Sequence, residues 1–129
     1  MTKKLIENVD HVQLPVTDMD GAVSWYKEVL GLEVLTVYPQ AAWLEFNSGP
    51  VLMLHLSTKN DKTQWLSEDD FPMPSFMFLT KQIDMLHSVL QSHEVKIRQY
   101  EDHGHGWVIK FIDPFGNELG AYQPKKETE

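Results

Sequence analysis

The chain has 129 residues, 42% hydrophobic and 11% aromatic, which suits one domain with a self-sufficient core. Its net charge of −8, with His neutral, opposes binding to nucleic acid or to an anionic membrane. The absence of cysteine excludes disulfides, thiolate nucleophiles and Cys-based zinc sites. The opening MTKKLIENVD carries no apolar signal core, and no stretch reaches ~18 apolar residues, so a soluble, cytoplasmic protein is expected.

VDHVQLPV (9–16) alternates apolar and polar residues and reads as a strand. Asp18 can cap a helix over about 19–30, in which Ala22, Val23, Tyr26, Val29 and Leu30 recur at helical spacing and Gly31 supplies the stop. LEVLTVYP, AAWLEFN and VLMLHLS follow as three short strands, separated by Pro39-Gln40 and by Asn47-Ser48-Gly49-Pro50. The polar, acidic stretch 58–74 is expected to be a linker that folds over something, because Trp65 and Phe71 argue against full disorder. The order then repeats. SFMFLT (75–80) is a strand, and 82–93 is a helix with Ile83, Leu86, Val89 and Leu90 on one face. VKIRQY, GWVIKFI and ELGAYQP are the last three strands. His11 to Ser75 spans the same interval as Asp18 to Gln82, the signature of an internal repeat of one helix and four strands.

Two stretches carry a resemblance. DHVQLPVTDMDGAVSWYKEVLGLEV, with His11, Asp18, Trp25-Tyr26 and Leu30-Gly31-Leu32, resembles the opening of the vicinal oxygen chelate superfamily. That group includes glyoxalase I, extradiol dioxygenases, fosfomycin-resistance thiol transferases and bleomycin-binding proteins. FIDPFGNELGAYQ resembles the superfamily's Asp-Pro-x-Gly-Asn turn before its last strand. The resemblance runs from Asn8 to Pro124. It implies an α+β fold: two βαβββ modules forming an open, curled mixed sheet, a half-barrel with helices on the convex side and a ligand cavity on the concave side. A single glyoxalase-like domain over 1–129 is expected, with module 1 at about 8–57, the linker at 58–74 and module 2 at about 75–124. The resemblance also implies a homodimer with a small-molecule ligand.

In metal-dependent members of the superfamily, four strand positions converge on one divalent ion through His, Gln or Glu. Carried over here, those positions are His11, Met53, Ser75 and Gly120. Only His11 is a good ligand: Met is too soft for hard divalent ions, Ser is a poor ligand and Gly has no side chain. No metal is therefore expected at the family positions, and no cofactor is expected. A displaced set of His11, His55 and Glu118 is the fallback for Zn, Ni, Mn or Fe, because residues two apart on a strand share a face. A two-residue displacement moves a ligand by roughly 6.5–7 Å, so His55 and Glu118 would have to reach back. Glu118 is otherwise expected to be solvated at the strand entrance.

The expected ligand-binding residues are His11, Gln13, Trp43, Glu45, Met53, His55, Ser75, Lys110, Gly120 and Tyr122. Alternation puts Trp43, Glu45 and Lys110 on the concave side, with Leu44, Phe46, Ile109 and Phe111 against the helices. Gly120 leaves room in the cavity, and Tyr122 adds an aromatic wall. His11 is also the candidate catalytic group. His103 and His105, in EDHGHGW, hint at a metal tract or a mobile loop at the cavity mouth. Tyr26 fits a buried stripe, and the four methionines Met19, Met73, Met77 and Met85 are read as core fillers. Two functions follow: a glyoxalase/bleomycin-resistance-like protein that binds a small molecule, or a metal-dependent lyase, isomerase or dioxygenase with a rearranged site.

Overall fold

The computed structural model of the chain describes residues 3–125, and the chain divides into two compact units after Ser57. The first unit contains β1 (His11–Val16), α1 (Met19–Glu28), β2 (Glu33–Val37), β3 (Ala41–Glu45) and β4 (Val51–Leu56). Its sheet has the order β1-β4-β3-β2, with β1 parallel to β4 and the other pairs antiparallel. Strand alternation sends Leu14, Val16, Leu44, Leu52 and Leu54 to one face, where all are fully buried. Helix α1 covers β3 and β4 and buries Ala22 and Tyr26. Each buried leucine contributes about 1.5–3 kcal/mol. Tyr26 also receives the edge of Trp25, with ring centroids 4.9 Å apart.

The edges of these elements differ from the sequence expectation. Strand β1 starts at His11, and Val9, before it, is 60% exposed. Helix α1 stops at Glu28, with Val29 as its C-cap. Asp18 occupies the N-cap position in extended conformation but makes no side-chain capping bond. Its carboxylate lies beside Gly21, where a Cβ would come within 2.6 Å of Oδ2.

The second unit contains β5 (Trp65–Leu66), β6 (Pro72–Met73), β7 (Phe78–Leu79), α2 (Ile83–Ser92), β8 (Ile97–Asp102), β9 (Gly106–Ile112) and β10 (Glu118–Pro124). The sheet order β7-β10-β9-β8, with β7 parallel to β10, reproduces the topology of the first unit. Ile109, Phe111, Leu119 and Ala121 are fully buried on the face that α2 covers with Ile83 and Leu90. The register matches too: Trp43 pairs with Met53, as Lys110 pairs with Gly120. Both sheets carry a bulge in the equivalent edge pairing, around Leu35 and around Arg98. The fold is thus α+β, two βαβββ modules whose mixed sheets are not closed into a barrel. Among the described residues, no helix is long and apolar enough to cross a membrane.

Two segments depart from the expected layout. SFMFLT forms a ladder only at Phe78–Leu79, so Ser75 precedes the strand and is exposed. The 58–74 stretch is not strand-free. It forms the small β5–β6 hairpin, closed by Ser67 N–H to Phe71 O at 3.0 Å, and belongs to the second unit. Thr63 fastens it there. Its N–H donates to Asn117 Oδ1 at 2.7 Å, and its carbonyl accepts from Glu118 N–H at 3.0 Å.

Tyr100 ties β8 to α2. Its hydroxyl donates to Asp84 Oδ1 at 2.6 Å, and its ring stacks on His87 with centroids 4.0 Å apart. The bond to the Asp84 carboxylate, with burial and the negative charge itself, pushes the phenol up to about 12. A raised folded-state value means this stabilisation is complete below the unfolded value near 10 and is lost as pH climbs through 12. Ultraviolet titration should find one of the four tyrosines ionising near pH 12. Asp84→Asn should return it toward 10; an unchanged curve in that variant would remove the assignment.

Candidate functional site

On the first sheet, the face away from α1 carries His11 and Gln13 from β1, Met53 and His55 from β4, and Trp43 and Glu45 from β3. Gln13, Met53 and Trp43 form one row across the three strands. His11 is held from both sides. Its Nδ1 lies 2.9 Å from Asp10 Oδ2, and its Nε2 lies 2.9 Å from the Gln13 amide nitrogen. With Nδ1–H given to the carboxylate, Nε2 accepts from Gln13. The lone pair that a ligand or base would use is therefore engaged, although Asp10, at 96% exposed, is a weakly held orienter. Trp43 meets Tyr38 edge to face at 6.0 Å. His55 is exposed, in register with Ala41 and Pro15. Glu45 lies opposite Glu33 across the β2–β3 pair, a like-charge position. A separate groove of about 540 Å³ opens at the start of α1, lined by Asp18, Met19, Asp20, Val37, Tyr38 and neighbours, and takes in none of the expected site residues.

On the second sheet, the face away from α2 carries Glu118, Gly120 and Tyr122 from β10, Val108 and Lys110 from β9, and Gln99 from β8. Glu118 is not solvated: it is 2% exposed, and Arg98 Nε donates to its Oε1 at 2.7 Å. The bulge at Arg98 is the reason. It inserts an extra residue between Ile97 and Gln99, so Arg98 reaches the carboxylate. Lys110 Nζ lies 3.5 Å from the Met73 sulfur and 5.2 Å from the centre of the Phe71 ring, both supplied by the β5–β6 hairpin region. Gly120 does not leave an open cavity. A Cβ there would lie 2.6 Å from the Met77 sulfur, so Met77 fills the space. Met77 is 42% exposed and Met85 61%, whereas Met19 is the buried filler expected of all four.

The EDHGHGW stretch is a closed hairpin turn. His103 N–H donates to Gly106 O at 2.8 Å, and Gly104 N–H donates to Asp102 Oδ1 at 2.8 Å. That backbone bond, with the nearby Lys125 charge, holds the Asp102 carboxyl below its usual range. His105 Nδ1 lies 2.7 Å from the Tyr122 oxygen, and the Tyr122 hydroxyl donates to His105 O at 3.0 Å. Gly106 is required there: a Cβ would come within 2.6 Å of Gln123 O and of the Tyr122 oxygen. Tyr122 thus staples the turn to β10, and His103 and His105 are committed to the turn.

The residues at the superfamily's four metal positions do not fit a hard divalent ion. Their donors are one imidazole, one thioether and one hydroxyl, and at the fourth position Met77 covers a glycine. Among the described residues, neither unit gathers three His, Asp or Glu side chains that could hold a metal ion.

Fold and register together define a glyoxalase-type protein. The chain belongs to the Glyoxalase/Bleomycin resistance protein/Dioxygenase superfamily, whose family model matches residues 8–120. No curated protein matches the sequence. Among solved structures, the chain is similar to lactoylglutathione lyase from Agrobacterium tumefaciens, with 18% identity and a TM-score of 0.70 over 93% of this chain and 96% of that one. It is similar to TnmS3, an antibiotic binding protein from Streptomyces sp. CB03234, at 22% identity and TM-score 0.72 over 95% and 100%. It is also similar to the fosfomycin resistance protein FosX from Listeria monocytogenes, a complex with Mn(II) and sulfate, at 14% identity and TM-score 0.74 over 94% and 93%. At these identities the likeness establishes the fold, which hosts lyase, antibiotic-binding and resistance proteins alike.

Proposed function

We propose that this protein binds a small molecule against the helix-free face of a sheet, without the four-ligand metal site of the superfamily's metalloenzymes. One observation carries the reading: three of the four metal positions lack a competent ligand, and the space at Gly120 is filled by the Met77 thioether. Each unit by itself offers apolar groups beside polar ones, the composition a small-molecule site needs: Trp43 and Met53 with Gln13 on the first, Met77 and Tyr122 with Lys110 on the second. The antibiotic binding protein TnmS3 is a precedent within the fold. We place the protein in the cytoplasm as a single domain and a homodimer. Exposed Leu35, Val37 and Tyr38 along and just beyond the edge strand β2 support the dimer, and the −8 charge supports a role away from nucleic acid and membranes.

Titration of purified protein with Mn²⁺, Ni²⁺, Zn²⁺ and Fe²⁺, followed by calorimetry and melting, tests the reading beside a small-molecule thermal-shift screen. The expected result is no stoichiometric metal site and at least one compound that raises Tm in a saturable way. One equivalent of metal, lost in His11→Ala, would instead establish the rearranged metalloenzyme.

A further inference from the structure

Three polar groups on the helix-free face of the second sheet lack full partners. Among the described residues, Glu118 gives Oε1 to Arg98, while its Oε2 is buried with no hydrogen-bond partner. Gln99 Oε1 is likewise buried and unpartnered, its amide nitrogen being given to Glu101. The Lys110 ammonium has, among the described residues, a thioether and a ring face beside it. Gln99, Lys110 and Gly120 form one row across β8, β9 and β10, and Glu118 is the next position of β10 on the same face. Folded proteins seldom leave buried acceptors unmet, and rule-breaking of this kind concentrates at functional sites.

We propose that Glu118, Gln99 and Lys110 are the polar end of the ligand site, and that it takes a planar ligand with a hydroxyl or primary amide donor next to a carbonyl acceptor. The inference rests on the small-molecule reading above and names its ligand class. Charge chemistry selects that class. A cation would satisfy Glu118 but would meet Lys110 and Arg98. A simple anion would satisfy Lys110 but would leave both acceptors unmet beside a carboxylate. A neutral donor–acceptor pair satisfies all three: its N–H or O–H groups reach Glu118 Oε2 and Gln99 Oε1, and its carbonyl oxygen accepts from Lys110 Nζ. The ring then lies on Phe71, Met73 and Met77. Met77, unbranched and 42% exposed, shifts to admit it.

Salicylamide is the probe, with benzoate (acceptor only) and benzylammonium (donor only) as controls, measured by calorimetry and amide shifts on the full chain. Salicylamide should bind more tightly than either control. Gln99→Met and Lys110→Met should each weaken it about tenfold or more. Gln99→Met should also melt a few degrees higher without ligand, because a buried unmet acceptor is gone. A purely structural Gln99 would lower Tm instead, and that outcome overturns the proposal. So does benzoate or benzylammonium binding as tightly as salicylamide, or salicylamide binding both variants as well as the parent. Failure of salicylamide to bind the parent chain also overturns it; the compound screen decides the broader reading separately.

Discussion

Asp113→Ala should destabilise the protein by about 3–4 kcal/mol and lower Tm by roughly 10–15 °C. Asp113 is 4% exposed and organises the whole turn before β10. Its Oδ1 accepts from Phe115 N–H at 2.9 Å and Asn117 N–H at 2.8 Å, and its Oδ2 accepts from the Asn117 side-chain amide at 2.8 Å. Removing the carboxylate takes an acceptor from three donors, two of them belonging to the fully buried Asn117. Asn117 in turn presents Oδ1 to Thr63, so the damage should spread to the 58–74 segment. Limited proteolysis should cut that segment faster in the variant, under conditions where the parent chain resists. Asn117→Ala keeps the two backbone bonds to Asp113 and should cost less, about 2 kcal/mol. A loss below 1 kcal/mol in Asp113→Ala, or equal protease resistance, would rule out the clamp.

That clamp shows what the sequence could and could not convey. The Asp-Pro-Phe-Gly-Asn turn was legible because local chemistry dictates it. Asp113 satisfies its own neighbours, and Gly116 at φ +89° takes a conformation other residues avoid. The repeat was legible for a similar reason: period-2 burial on β3 and β9 places Leu44, Ile109 and Phe111 under the helices, as alternation requires. The bulge at Arg98 was not legible. Strict alternation puts Arg98 on the face of Tyr100, and only the pairing of β8 with β9 reveals the inserted residue that sends it to Glu118. A position just after a turn predicts a solvated Glu118, yet its pairing with Arg98 and its backbone bond to Thr63 are long-range. The place of Met77 is legible in the sequence, since the repeat interval that relates His11 to Ser75 relates Gln13 to Met77. Gln13 pairs with Met53 across β1 and β4, and the equivalent positions of the second unit are Met77 and Gly120.

The second large effect concerns Arg98. Arg98→Met leaves a carboxylate that is 2% exposed without its cation, and should cost about 3–5 kcal/mol. Glu118→Met is the milder change, because Arg98 is a quarter exposed and can turn its charge to water. Double replacement removes charge and partner together, so it should be no worse than Arg98→Met alone. A coupling energy of about 2 kcal/mol or more in the double-mutant cycle is the expected outcome. Because one partner is wholly buried, the coupling should survive a rise in salt that would screen an exposed pair. If the two losses simply add, the ion pair contributes nothing. The reason for burying Glu118 would then lie with its Oε2, the atom that has no hydrogen-bond partner among the described residues. Measuring the cycle with and without salicylamide separates these cases. A donor that reaches Oε2 shields the orphaned carboxylate, so bound ligand should shrink the penalty of Arg98→Met; an unchanged penalty would place the ligand away from Glu118.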